Sequence, residues 1–333
     1  MSDKQPNVLV ARGVFPEVLA RLREHFEVEA NPDDSVWPPA ELSRRLAGKV
    51  GVFTTGSERI DAALLDTHPQ LRAVCNMAVG YNNIDLDACT ARGVLVSNTP
   101  DVLTETTADF GFALMMAAAR RITESEHFLR AGQWTKWSYD MFAGAEVHGS
   151  TLAVLGMGRI GQAIARRGAL GFGMRVVYHN RSRLDAAIER ELGARWVDKA
   201  ELLRVADHLV IVVPYSAQSH HLIGAAELAQ MKPSATLTNI ARGGVVDDAA
   251  LAQALRERRI AAAGLDVFEG EPRVHPDLLS VPNVVLTPHI ASASVATRRA
   301  MADLAADNLI AALGCGPAAG RPPTALNPQV LAK

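Results

Sequence analysis

The stretch TLAVLGMGRIGQAIARR, residues 151–167, constrains this chain more than any other. Apolar residues run directly into Gly156, Gly158 and Gly161, and a helical pattern begins near Arg159. Strand, G-x-G-x-x-G turn and helix in that order are what a dinucleotide fold requires. Gly156 permits the sharp turn, Gly158 lets backbone approach a pyrophosphate without a Cβ, and Gly161 lets the helix lie close to the sheet. The helix start adds free amide donors and the positive end of the peptide dipoles. Three glycines alone also fit a βα turn with no ligand. The strand before them, the helix and the next strand favour a cofactor.

That next strand ends in YHNRSR, residues 178–183. An NAD site places an Asp or Glu about 20 residues on, to accept from the ribose hydroxyls. Here Asn180 stands nineteen positions beyond Gly161, followed by Arg181, Ser182 and Arg183. No carboxylate repels a 2′-phosphate, and two guanidiniums with a hydroxyl suit one. The residues predict NADP(H) as the preferred cofactor, with NAD(H) possible.

Short β-branched runs alternate with amphipathic stretches along the whole chain: 7–11, 50–55, 71–76 and 94–98, then 151–156, 174–180, 208–214, 235–240, 261–267 and 283–288. Buried strands joined by helices mean parallel sheets. Between the two series, residues 102–130 read as one long helix, a spine joining two domains. A last helix over about 294–313 has an apolar face suited to docking on the first domain. The predicted fold class is α/β: two doubly wound parallel-sheet domains. A Rossmann cofactor domain, 102–292, is inserted into a flavodoxin-like substrate domain, 1–101 and 293–333.

Further segments carry the chemistry: NIARGGVVD (239–247), GLDVFEGEP (264–272) and TPHIASAS (287–294). With MAVGYNNID (77–85) and TPDVLTETTADFGFALMMAAARR (99–121), they resemble the D-isomer-specific 2-hydroxyacid dehydrogenases over nearly the whole chain. HNRS at the ribose end is most similar to the glyoxylate/hydroxypyruvate and 2-ketogluconate reductases. The resemblance implies a reductase of small 2-oxoacids to D-2-hydroxyacids, with Arg242, Glu271 and His289 as catalytic residues. Arg242 would hold a carboxylate and polarise the adjacent carbonyl. His289 would donate the proton as hydride reaches C2, and Glu271 would fix the imidazole tautomer and favour its charged form. Substrate binding would involve Val79 and Gly80, through their amides, with Arg242 and His289. Cofactor contacts are implied at Thr107, Gly156, Gly158, Arg159, Ile160, Gly161, Asn180, Arg181, Ser182, Val213, Pro214, Ile240, Ala241 and Asp266. Asp266 also reads as a loop cap.

The alternatives are an NAD-linked relative of the phosphoglycerate dehydrogenase type, disfavoured by Asn180 and Arg181 and by the lack of a long C-terminal extension. Formate dehydrogenases pair the histidine with Gln, where this chain has Glu271. A dinucleotide-sensing corepressor keeps the same residues and differs only in turnover. Loop 133–149, with Trp134, Trp137, Tyr139, Met141 and Phe142, reads either as a pocket wall or as packing between two copies in a homodimer.

Composition excludes other classes. The formal charge is −2 without basic blocks, so no nucleic-acid partner is expected. Cys75, Cys89 and Cys315 are far apart, fitting a reducing cytoplasm with neither disulfides nor a metal site. The start MSDKQPNVLV lacks the pattern of a secretion signal, and the apolar stretch 110–119 is too short for a membrane span. His220 and His221 read as surface or helix-start residues.

Overall fold

The computed structural model describes residues 5–332. Met1–Lys4, which open the stretch read for a secretion signal, and Lys333, which ends the expected substrate domain, lie outside the described residues. The chain divides into two compact units. One runs to Leu103 and resumes at Ser294; the other is Thr104–Ala293.

The first unit holds β1 (Asn7–Val10), β2 (Glu27–Ala30), β3 (Gly51–Thr54), β4 (Ala73–Asn76) and β5 (Leu95–Ser97). They form a parallel sheet in the order β2-β1-β3-β4-β5. Every residue of β3, β4 and β5 is buried, because helices cover both faces; hence the unbroken apolar runs. Helix Val295–Ala312 packs Ala302, Ala305, Ala306 and Leu309 into one core with Val8, Val10, Phe53 and Cys75. Its approach is close: a Cβ on Gly51 would lie 2.8 Å from Leu309 Cδ1. The C-terminal tail closes the free edge of β5. Asn327 Oδ1 accepts the Val96 N–H at 2.8 Å, and its Nδ2 donates to the Val94 carbonyl at 2.9 Å.

The second unit holds β6 (Thr151–Leu155), β7 (Arg175–His179), β8 (Ala194–Trp196), β9 (His208–Ile211), β10 (Thr236–Asn239), β11 (Ala262–Leu265) and β12 (Val284–Leu286). Their order is β12-β11-β10-β9-β6-β7-β8, all parallel. Both units are doubly wound α/β folds. In the second, the strand order reverses between β6 and β9, and crevices at such carboxyl ends are where open sheets bind ligands.

The expected single helix over 102–130 is two helices, Thr104–Ala119 and Ile122–Arg130. Arg121 takes a left-handed φ of 54°, and the Ala119 carbonyl accepts from the Ala145 N–H at 2.9 Å, outside the helix. Gly144 makes that approach feasible, since a Cβ there would sit 2.2 Å from the same oxygen. A long apolar pattern cannot register a carbonyl diverted by a distant loop. Two edge strands, β2 and β8, also escaped the sequence reading. β2 is EVEA, without an apolar run, and its Glu29 pairs with Arg45 and Lys49 at 2.9 Å each. A charged edge of this kind discourages pairing with another chain. Among the described residues, no helix is long and apolar enough to cross a membrane.

Candidate active site

Three neighbouring strands of the second unit each deliver one candidate residue at the carboxyl end: Arg242 after β10, Glu271 after β11 and His289 after β12. Asn239, the last residue of β10, sets the first turn. Its Oδ1 accepts the Ala241 N–H at 3.0 Å and its Nδ2 donates to the Arg242 carbonyl at 3.3 Å. Arg242 Nη1 donates to the Ala241 carbonyl at 2.7 Å. Burial pushes the Arg242 guanidinium below its ordinary pKa, and the charge of Glu271 opposes that shift. Gly243 admits no side chain, because a Cβ there would lie 1.7 Å from the Phe268 carbonyl oxygen. Two turns, after β10 and β11, therefore touch backbone to backbone.

Glu271 Oε2 lies 2.8 Å from His289 Nδ1, and Oε1 accepts the Phe268 N–H at 2.9 Å. Burial works to raise the Glu271 carboxyl, but the bond and charge of His289, the Phe268 amide and Arg242 outweigh it. The net shift is downward. An ionised Glu271 is an acceptor only, so Nδ1 carries a proton in this pair and Nε2 is the nitrogen left to exchange one. The His289 side chain is 44% exposed.

His289 has a left-handed φ of 54°, uncommon for a residue with a side chain. Asp266, fully buried at the end of β11, holds it there. Its Oδ1 accepts from Thr287 Oγ1 at 2.7 Å and the Ile290 N–H at 2.8 Å, and its Oδ2 accepts the Ala291 N–H at 2.8 Å. Burial raises the Asp266 carboxyl, and these three donors pull against that rise. Asp266 thus spends its oxygens on the turn that carries His289.

The glycine-rich turn follows β6. Gly156 takes φ 102°, and a Cβ there would lie 2.8 Å from the Val212 carbonyl carbon and 2.9 Å from Val213 Cγ1. This glycine closes the turn against the Val213–Pro214 segment beyond β9. A Cβ on Gly161 would meet the Gly156 carbonyl at 2.3 Å, whereas one on Gly158 would meet nothing within 4 Å. Helix Arg159–Arg166 starts at Gly158 without a side-chain cap, an end whose dipole and amides suit a phosphate; Ile160 packs half-buried in its first turn. Thr107 Oγ1 is buried with no hydrogen-bond partner among the described residues. Ile240 and Ala241 are buried, and Ile240 Cδ1 would contact a Cβ on Gly111 at 2.6 Å. An open glycine face, uncapped helix amides and an orphaned hydroxyl fit a dinucleotide.

At the ribose end Asn180 turns inward, its Oδ1 accepting the Met157 N–H at 2.6 Å. Arg183 is committed elsewhere: its Nε and Nη2 bind the two oxygens of Glu189 at 2.8 and 2.6 Å. Glu189 also accepts from the Tyr178 hydroxyl at 2.6 Å, and hydrogen bonds from Arg183 and Tyr178 hold its carboxyl down at about 2. Both guanidiniums read for a 2′-phosphate are exposed; Arg183 is tied to Glu189, whereas Arg181, beside exposed Ser182, has no side-chain partner among the described residues.

In the first unit, Asn98 Nδ2 donates to the Val79 carbonyl at 2.8 Å and Asn76 Nδ2 to the Gly80 carbonyl at 2.9 Å. Because C=O and N–H point oppositely across a planar peptide, fixing the Val79 carbonyl also fixes the Gly80 N–H.

The sequence profile of the D-isomer specific 2-hydroxyacid dehydrogenase NAD binding domain matches residues 112–291. This chain belongs to that family. The glyoxylate reductase of Thermococcus onnurineus is 47% identical over 331 residues, 98% of this chain and 97% of its own length. That of Aeropyrum pernix is 48% identical over 320 residues, 92% and 93% of the two chains. An NADPH-dependent glyoxylate/hydroxypyruvate reductase from Sinorhizobium meliloti, solved with NADP and malonate, superposes with a TM-score of 0.84. It is 37% identical and covers 98% of each chain. The protein is an NAD(P)-dependent oxidoreductase acting on 2-hydroxyacids.

Two features of this dehydrogenase site escaped the sequence reading. The amide of Phe268 that orients Glu271 leaves no side-chain signature. Glu189 lies within an ordinary helical pattern and is singled out only by its contacts. Cys75 and Cys89 are buried free thiols, and burial pushes both up to about 12.

Gly158 separates binding from folding. Gly158→Ala should leave thermal melting nearly unchanged, because the new methyl meets no atom, yet weaken dinucleotide binding roughly tenfold or more. Gly161→Ala, which strikes backbone, should destabilise by about 1–3 kcal/mol. Calorimetry and fluorescence titration measure the two effects; an intact dinucleotide affinity in Gly158→Ala would remove that glycine from the binding surface.

Proposed function

We propose that this enzyme reduces glyoxylate and closely related 2-oxoacids, hydroxypyruvate or 2-ketogluconate among them, to D-2-hydroxyacids, with NADPH as the preferred reductant. The observation that carries the reading is the His289–Glu271 pair at 2.8 Å, which joins the loops after β12 and β11, beside β10 and the Arg242 turn that follows it. Similarity to glyoxylate reductases over almost the full chain supports the substrate class.

Gly156, Gly158, Arg159 and Gly161 would hold the dinucleotide phosphates, with Thr107, Ile240 and Ala241 towards the nicotinamide and Val213 and Pro214 beside the adenine. A reduced nicotinamide bound there supplies hydride to C2 of the oxoacid. The residues of the chain do the rest. Arg242 binds the carboxylate through its planar fork and polarises the adjacent carbonyl. His289 delivers the proton from Nε2 to the carbonyl oxygen, while Glu271 holds Nδ1–H and stabilises the imidazolium. In the other unit, the amides of Val79 and Gly80 are donors suited to a carboxylate. Asp266 acts chiefly by bracing the His289 turn.

Arg181 carries the cofactor preference, with Ser182. Arg181→Ala should raise KM for NADPH roughly ten- to a hundredfold, the worth of a charged hydrogen bond of about 1.5–3 kcal/mol, and change KM for NADH little. Equal use of NADH and NADPH by the unmodified enzyme would overturn the preference.

His289→Ala should lower turnover by roughly two to four powers of ten while NADPH binding persists. Arg242→Ala should instead impair both KM and kcat. Near-normal turnover in His289→Ala would sink the proton-donor assignment, and dinucleotide binding without turnover on any 2-oxoacid would point to a sensor.

The enzyme is also proposed to be a homodimer. Trp134, Trp137 and Tyr139 are 54%, 74% and 87% exposed along loop 133–149, with Ile122 and Leu129 similarly bare nearby. Such an apolar surface favours burial against a second copy. Light scattering at micromolar concentration should give twice the chain mass; a monomer would refute it.

A further inference from the structure

His220, His221 and Glu269 lie together on the surface of the second unit, and one ligand atom from each falls within 4.8 Å of the others. We propose that these three side chains bind a single Zn²⁺ ion. Two imidazoles and a carboxylate form a donor set for a borderline divalent ion, with a fourth position left for water.

The backbones that carry the ligands are fixed. His221 donates its N–H to the Gly244 carbonyl at 2.7 Å and has a left-handed φ of 49°. The Glu269 N–H donates to Asp248 Oδ2 at 3.0 Å. The two imidazoles are stacked, 3.9 Å between centroids and 23° between planes, which keeps the two rings together. Around a tetrahedral ion with bonds of about 2.0–2.1 Å, donor atoms sit about 3.3 Å apart, so closure takes shifts on the order of 1 Å by exposed side chains.

Polar groups also lie near the ring nitrogens of both histidines, where metal-bound imidazoles usually have a partner. The Tyr215 hydroxyl lies 3.2 Å from His220 Nδ1, and by accepting Nδ1–H it would free Nε2 to ligate. Asp247 Oδ2 lies 3.9 Å from His221 Nδ1, while His221 Nε2 faces Glu269 Oε2 at 2.8 Å. The ion replaces the proton now shared between His221 and Glu269, releasing it to solvent. Glu269 and Asp247 supply negative charge for a dication.

The position gives the site a consequence. Glu269 precedes Glu271 by two residues, and Gly244 follows Arg242 by two. A Cβ on Gly244 would lie 3.2 Å from Tyr215 and 3.4 Å from His220, so that turn packs directly beneath the ligands. Bound Zn²⁺ cross-links the turn at 215–221 to the loop that bears Glu271.

Titration calorimetry of chelator-stripped enzyme with ZnCl₂ tests the site, with Co²⁺ absorption reporting coordination geometry. The expected result is saturation at one equivalent, a tetrahedral cobalt spectrum and a raised melting temperature. His220→Ala and Glu269→Gln should each weaken binding at least about tenfold, and Tyr215→Phe by a similar factor through the lost outer bond. His127→Ala, an exposed histidine elsewhere in the unit, should bind as the unmodified enzyme does. Far-UV melting in chelator establishes that each variant is folded. The absence of saturable binding, or binding unchanged in both His220→Ala and Glu269→Gln, overturns the proposal and leaves the His221–Glu269 contact a plain hydrogen bond.

Discussion

Three donors converge on the buried carboxylate of Asp266, and the chemistry of the second unit depends on that convergence. A histidine at φ 54° is held against its own backbone preference, and the Ile290 and Ala291 amides with the Thr287 hydroxyl hold it. A carboxylate removed from water is costly unless its oxygens are satisfied, and here the turn after β12 satisfies them. The same bonds aim the imidazole so that Nδ1 meets Glu271. One anchor at the end of β11 thus fixes a proton-carrying group at the end of β12.

The contact between the turns after β10 and β11 works on the same principle with different means. Gly243 lets backbone lie on the Phe268 carbonyl, and the adjacent Phe268 amide then orients Glu271. Arg242 and Glu271 are near enough to act electrostatically on each other, each favouring the charged form of its neighbour. Parallel strands make this economical, since every carboxyl end opens on the same edge of the sheet.

At the ribose end, the charges are sorted by packing. Glu189 takes Arg183 and the Tyr178 hydroxyl, Asn180 reaches back to the glycine-rich turn, and Arg181 is left facing solvent. Of the two arginines in this basic turn, Arg183 is tied to Glu189 and Arg181 has no side-chain partner among the described residues. The buried Tyr178–Glu189 contact also stiffens the turn that presents it.

The sequence by itself determined the two α/β units, the glycine turn and the family, because apolar runs and glycine spacing are local properties of the chain. Buried parallel strands must be continuously apolar, and Gly156 and Gly161 leave no room for other residues, so these features were legible. Edge strand β2 was not, since its charged residues satisfy no burial pattern. The break at Arg121 was not either, because it depends on a carbonyl claimed by Ala145 from another loop. Arg242, Glu271 and His289 were recognised through motif resemblance, but their mutual geometry was not written in any of the three segments. Only tertiary structure decided that Asp266 braces a turn, that Arg183 belongs to Glu189, and that His220 and His221 face Glu269. Each joins residues distant along the chain or hidden within an ordinary helix, and such contacts exist only once the sheet has set its strand ends side by side.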